Sequence, residues 1–132
     1  MAEVAPAAAL AEFERLATAA DVDIDTSGMS EEEADEVNEV RDLVTGAIEK
    51  GLLSVNDKGQ GVLAVSDGDP ITFRVPIGAD LMIMVSASEN KRMEAMLRFV
   101  CAITGQSSAR IGALRKKEWK LALRLAGFLS AD

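Results

Sequence analysis

The most informative segment of the chain is Asp69-Pro-Ile-Thr-Phe-Arg-Val-Pro-Ile-Gly-Ala-Asp-Leu81, which holds a strand, a stop signal and a helix start. Apolar and polar residues alternate from residue 71 to residue 75, the period of a half-buried strand. Pro76 then lacks the N–H that the next hydrogen bond of a sheet would need. Gly78 and Asp80 favour the start of a helix directly afterwards.

Two further strands are predicted upstream, at residues 52–55 and 61–66, followed by the strand at 70–75. The connections between them are short and contain Asn, Asp and Gly, which are common in turns. Short connections of this kind join antiparallel neighbours, so the three strands are expected to form an antiparallel meander.

Two helices are predicted before the strands. The first spans about 6–20, and its apolar residues recur at helical spacing. The second begins at a capping box formed by Ser30 and Glu33 and stops at Gly51. We interpret residues 1–28 as a helical arm with an acidic link, and residues 29–132 as a single α+β domain.

The part of the chain after the strands is predicted to be helical in three pieces. The first, at 79–86, is apolar nearly all round, so it should be buried or covered by a partner. Ser86 and Glu89 suggest a capping box for the second piece, which ends at Gly105, and Ser107 or Ser108 caps the last. The predicted fold is therefore α+β and mainly helical, with a short three-stranded antiparallel meander flanked by N-terminal helices and a C-terminal helical segment.

Composition limits the class of protein. The chain has 132 residues with 48% hydrophobic content, enough for the core of one domain. It has no long apolar run and no basic flank typical of a signal peptide, so we expect no membrane association and a cytoplasmic location. With Cys101 as the single cysteine, no internal disulfide can form.

Catalytic chemistry is not expected. The sequence contains no His and no Tyr, so neither Ser-His nor Cys-His catalysis is available. Its acidic residues cluster in a link and one helix rather than around an apolar cleft. The chain is therefore predicted to be non-enzymatic and to need no cofactor.

One acidic motif resembles the start of a calcium-binding loop. Asp23-x-Asp25-x-Ser27-Gly28 matches its first six positions, but the twelfth position, where a bidentate carboxylate belongs, is Ala34. We therefore predict no metal site and interpret the segment as acidic capping of the next helix.

Charge is divided unequally along the chain. Residues 1–70 hold 17 acidic and 4 basic residues, whereas residues 71–132 hold 5 and 10. Arg110, Lys117 and Arg124 recur every seven residues of one predicted helix, with Lys120 beside them. Phosphate binding is disfavoured by the net charge of −8, so nucleic acid is an unlikely partner and a solvated or protein-docking face is preferred.

Residues 61–132 resemble the Mu-like tail assembly chaperones of long-tailed phages. Four groups of residues carry the resemblance: Ile71-Thr-Phe-Arg-Val-Pro76 with Gly78-Ala-Asp80-Leu81, Ala102-Ile-Thr-Gly105, Ile111-x-x-Leu114 with Glu118, and Leu125-Ala-Gly-Phe128-Leu129. The chain departs from the family by the insertion of Ala79 and by Glu118 where Asp is usual. Residues 1–60 carry no part of the resemblance.

The resemblance implies a non-enzymatic protein of a phage or prophage that binds the tape measure protein and is absent from the finished particle. The tail tube protein is a further candidate partner. Self-association is left open. The residues expected to bind the partner are Met82, Met84, Trp119 and Leu123, with Lys117, Lys120 and Arg124 beside them. The alternatives are an acidic protein-interaction module of another bacterial pathway and, less favoured, a nucleic-acid-binding regulator.

Overall fold

The computed structural model describes residues 3–66 and 68–130. The elements in this part of the chain are α1 (Pro6–Ala19), α2 (Glu31–Glu49), β1 (Leu53–Val55), β2 (Gly61–Leu63), β3 (Ile71–Phe73), α3 (Gly78–Val85), α4 (Arg92–Thr104), α5 (Ser108–Gly112) and α6 (Lys116–Leu129). Single 3₁₀ turns lie at Thr26–Gly28 and Glu89–Lys91. The predicted mainly helical α+β fold is confirmed.

The three strands form an antiparallel sheet in the order β1-β2-β3. Leu53 pairs with Leu63, and Leu63 pairs with Ile71, so these side chains share the buried face of the sheet. Thr72, between Ile71 and Phe73, is exposed on the other face. The predicted meander is confirmed, with strands shorter than the alternation suggested.

Helix α1 is part of the hydrophobic core. Phe13 and Leu16 are completely buried, and the ring of Phe13 lies 5.2 Å from that of Phe128, centroid to centroid. Arg15 also donates a hydrogen bond of 2.6 Å to the carbonyl of Asn56 in the β1–β2 turn. The helix that was predicted as an arm therefore packs against both the sheet and α6.

Helix α2 begins and ends as predicted. The side chain of Ser30 accepts a hydrogen bond of 3.2 Å from the N–H of Glu33. After the helix, Gly51 adopts a φ of 76°, a left-handed conformation that glycine accommodates without steric cost. Val44 and Ile48 are buried on the inner face.

The predicted capping box at Ser86 and Glu89 is wrong. Ser86 is the residue that ends α3, where its N–H donates to the carbonyl of Met82. Glu89 begins the 3₁₀ turn instead, and α4 starts at Arg92. A 3₁₀ turn followed by α4 thus replaces the single helix start that the Ser-x-x-Glu spacing indicated.

The last predicted helix is two helices. Ser107 caps α5 by accepting from the N–H of Arg110 at 3.1 Å, but α5 ends at Gly112. Arg115 is extended, with φ −65° and ψ 156°, and α6 begins after it. Among the described residues, no helix combines the length and apolar character that crossing a membrane requires.

Candidate partner-binding groove

The segment between β3 and α3 is held by an ion pair in which the carboxylate is buried and the guanidinium is partly exposed. Arg74 donates to both carboxylate oxygens of Asp80, at 2.6 and 2.8 Å, and Asp80 also accepts from the N–H of Ile77 at 2.9 Å. The same guanidinium donates to the carbonyl of Ala102 on α4 at 3.1 Å. Asp80 therefore starts α3 and, through Arg74, fastens it to the end of α4.

The charge on Asp80 is stabilised where it lies. The hydrogen bonds from Arg74 lower the pKa of Asp80 below its ordinary value, although burial opposes this shift. The pKa of Arg74 is raised by the same hydrogen bonds. Both oxygens of this carboxylate accept hydrogen bonds, and removing Arg74 would leave the buried charge without its cation.

Glu118 has a similar role at the start of α6. Its carboxylate accepts from the N–H and the hydroxyl of Ser66, each at 2.8 Å, and from the N–H of Arg115 at 3.1 Å. Burial alone raises the pKa of Glu118, but the hydrogen bonds from Ser66 and Arg115 together outweigh it, so this pKa is lowered. Glu118 thus caps α6 and fastens it to the connection between β2 and β3.

The residues that carry the family resemblance therefore build the scaffold. Arg74, Asp80 and Glu118 are engaged in the contacts described above, and Gly105 has a φ of 69° at the end of α4. The apolar members of the motif, Ile111, Leu125, Phe128 and Leu129, are buried in the core. A site for a partner has to be sought on other residues.

Four of the predicted site residues meet along one groove. Lys117, Lys120, Leu123 and Arg124 of α6 face α2 across an open cavity of about 790 Å³. Arg110, which was predicted to share their helix, lies on α5 instead and donates to the carbonyl of Asp69. The prediction that four basic residues share one helix is therefore wrong, because only Lys117, Lys120 and Arg124 lie on α6.

The floor of this cavity is apolar and its rims are charged. Leu43, Ala47, Leu52, Leu121 and Leu123 supply the apolar surface, and Gly46 leaves room between them. Glu39 and Asp42 stand on the α2 rim, opposite the cations of α6. Because Leu43 remains 40% exposed, an apolar helix face could bury it.

A second cavity of about 580 Å³ continues along the same two helices. It shares Glu39, Leu123 and Arg124 with the first, so the two cavities adjoin. Its apolar lining includes Met29, Val37, Val40, Met96 and Phe128. The first cavity is lined by Lys50, at the end of α2, and by Lys117, at the start of α6. The second is lined by Glu36, near the start of α2, and by Phe128, near the end of α6, so the two helices run antiparallel. We call the two cavities together the α2–α6 groove.

One ion pair crosses the α2–α6 groove where its halves meet. Arg124 donates to Glu39 at 2.7 Å. Both side chains are largely exposed, so this pair contributes at most about 1 kcal/mol to stability. A bound partner can displace it at small cost.

The other three predicted site residues do not line this groove. Helix α3 packs chiefly against α4, where Met82 is 67% exposed and Met84 is half-buried against the core. Trp119 is also half-buried and packs against the core. Met82, Met84 and Trp119 are not among the residues that line the groove, whereas Leu123 is, and α2 supplies the opposite wall that sequence reasoning missed.

The acidic link is organised by hydrogen bonds within it. Asp23 accepts from the N–H of Asp25 at 2.9 Å, and Asp25 accepts from the N–H of Ser27 at 3.0 Å. The hydrogen bonds from Ser27 lower the pKa of Asp25. Asp25 thus caps the 3₁₀ turn at Thr26–Gly28, and Ser30 rather than this motif caps α2.

Comparison of the chain with protein-family models, with curated proteins and with solved structures gave no match.

Proposed function

We propose that the protein is a phage or prophage tail assembly chaperone that binds a helical segment of the tape measure protein in the α2–α6 groove. The observation that carries the proposal is an apolar floor left open between two helices, with charged rims on both sides. The identity of the proposed partner is taken from the resemblance of residues 61–132 to the tail assembly chaperones.

The physical task of such a chaperone matches this surface. A long hydrophobic helical chain aggregates unless its apolar faces are covered, and each Å² covered is worth about 25 cal/mol. Met29 and Met96 in the groove are flexible enough to adapt to different apolar side chains. A net charge of −8 keeps the resulting complex soluble.

The rims of the groove favour a protein partner over nucleic acid. Asp42 lines the same cavity as Lys117 and Lys120, and Glu39 is paired with Arg124, so phosphates approaching the cations would also meet carboxylates. An acidic interaction module of another bacterial pathway remains the alternative function. Its gene would lack the neighbours expected here, a tail tube gene upstream and a very long tape measure gene downstream.

Co-expression with the tape measure protein tests the proposal. The wild-type chain should keep that protein in the soluble fraction and co-purify with it. Leu43→Asp should abolish co-purification, because the complex would bury an unpaired carboxylate. Leu10→Asp is a matched control, since Leu10 is 41% exposed on α1 and lies outside the groove.

A folded wild-type protein that leaves the tape measure protein insoluble and unbound would contradict the proposed function. Equal loss of binding in Leu43→Asp and Leu10→Asp would contradict the assignment of the site. Circular dichroism of each variant confirms that the fold is retained.

A further inference from the structure

The α2–α6 groove has opposite charges at its two ends. In the half next to the end of α2, the charged groups other than the Glu39–Arg124 pair are Lys50, Lys117, Lys120 and Asp42. In the half next to the start of α2 they are Asp23, Glu33 and Glu36, with no further cation among the lining residues described. One end of the groove is therefore basic and the other acidic.

The length of the groove sets the length of its occupant. The lining residues of α2 run from Glu33 to Lys50. At 1.5 Å per residue this span is about 25 Å, the length of an α-helix of about five turns. Both halves have an apolar lining, and Leu123 belongs to both of them.

We infer that the groove binds one amphipathic helix of about five turns whose charges are segregated by end, acidic at the end beside Lys117 and Lys120 and basic at the end beside Glu33 and Glu36. This inference rests on the proposed role of the groove in binding a helical partner, and it specifies that partner's charge pattern. The apolar face of the helix covers Leu43, Leu121 and Leu123, and its charged flanks meet opposite charges on the rims.

The charge pattern selects among helices that are otherwise equally apolar. A helix with the same residues but alternating charges would place like charges against each end of the groove, which is unfavourable. Each exposed pair contributes little, but several pairs together correspond to roughly a tenfold difference in affinity. The preference should weaken as salt screens the charges.

Two designed peptides of eighteen residues test the inference without the tape measure protein. Both carry the same leucine face and the same numbers of Glu and Lys, and both are stapled so that their helicity is equal. One has Glu in one half and Lys in the other, whereas the other alternates them. Calorimetry should show the segregated peptide binding roughly tenfold more tightly at low salt, with a smaller preference at high salt.

Variants of the protein test which residues of the groove produce the preference for the segregated peptide. Lys117→Glu with Lys120→Glu should reduce affinity for the segregated peptide and remove its preference over the alternating peptide. The matched control is Lys91→Glu with Arg98→Glu, which makes the same change in net charge at exposed positions outside the groove. Glu36→Lys, at the other end, should also reduce the preference.

A spin label on the peptide gives the register. Placed at the Glu end, it should broaden amide signals around Lys117, and placed at the Lys end, those around Glu36. Equal affinities for the two peptides, no binding of either, broadening at the opposite ends, or a second copy of the chain occupying the groove would each overturn the inference. If the peptides behave as expected but the tape measure protein does not bind, the inference on the groove stands and the proposed function fails.

Discussion

Asp80 shows how a single residue organises the junction between the sheet and the C-terminal helices. Its carboxylate accepts three hydrogen bonds, two from Arg74 and one from the backbone of Ile77, while only 5% of the residue is exposed. Because Arg74 also reaches the carbonyl of Ala102, loss of the charge would loosen β3, α3 and α4 together.

Asp80→Asn should lower the free energy of unfolding by about 1.5–3 kcal/mol, since charge-assisted hydrogen bonds are lost and one amide N–H faces Arg74. Urea denaturation followed by circular dichroism measures this change. Asp35→Asn, at an exposed position of α2, is the control and should change stability by no more than about 0.5 kcal/mol. Equal effects in the two variants would refute the anchoring role of Asp80.

The lowered pKa values of Asp80 and Glu118 predict acid sensitivity. A carboxyl whose folded pKa lies below its unfolded value adds stability above the unfolded pKa, near 4, and this stability is lost as pH falls through the folded pKa. The free energy of unfolding should therefore decrease as the pH drops below about 4. Asp80→Asn with Glu118→Gln should show a flatter profile there, and an unchanged slope would contradict the assignment.

Two glycines with positive φ provide a matched comparison. A Cβ at Gly59 would lie 2.4 Å from the Cβ of Ala19 on α1, whereas one at Gly105 would meet nothing within 4 Å. Gly105→Ala should cost about 1–2 kcal/mol from backbone strain alone. Gly59→Ala should cost clearly more in thermal or urea unfolding, because α1 must also move away from the β1–β2 turn. A smaller cost at Gly59 would contradict this packing.

At the scale of elements, α1 completes the core between the sheet and α6. Phe13→Ala should lower the free energy of unfolding by about 3–5 kcal/mol, because it removes a buried ring in contact with Phe128. Leu10→Ala, one turn earlier on the exposed side, is the control and should have a much smaller effect. If both variants unfold at the same urea concentration as the wild type, α1 is an arm after all.

The elements that local signals specify were predictable from the sequence. Ser30, Gly51 and Gly105 end or begin helices through contacts within a few residues, and the strands follow from alternation and turn chemistry. The break between α5 and α6 was not predictable, because apolar spacing continues through it. Glu118 caps α6 with the help of Ser66, which is 52 residues away in the chain.

The candidate site was predictable only in part for the same reason. Lys117, Lys120, Leu123 and Arg124 could be identified from their spacing on one helix. The facing wall of α2 could not, because no short-range pattern reports which helices become neighbours. Met82, Met84 and Trp119 were grouped with Leu123 as one apolar surface, whereas only Leu123 of these four lines the groove.

At the scale of the whole molecule, the acidic and basic parts of the sequence meet across the α2–α6 groove. Glu39 and Asp42 come from the first part, and Lys117, Lys120 and Arg124 from the second. The charge asymmetry therefore attracts the two parts to each other and also leaves uncompensated charge at each end of the groove. Association with a partner should consequently be faster at low salt than at high salt, as measured by stopped-flow fluorescence of Trp119.

The central claim, that the α2–α6 groove holds a helix of the tape measure protein, is tested most directly by amide hydrogen exchange of the protein alone and in the presence of the tape measure protein. The account predicts slower exchange on binding within residues 33–50 of α2 and 117–128 of α6, with no change in the strands β1, β2 and β3. Absence of a complex between the two folded proteins, or protection confined to α3 and the sheet, would contradict it.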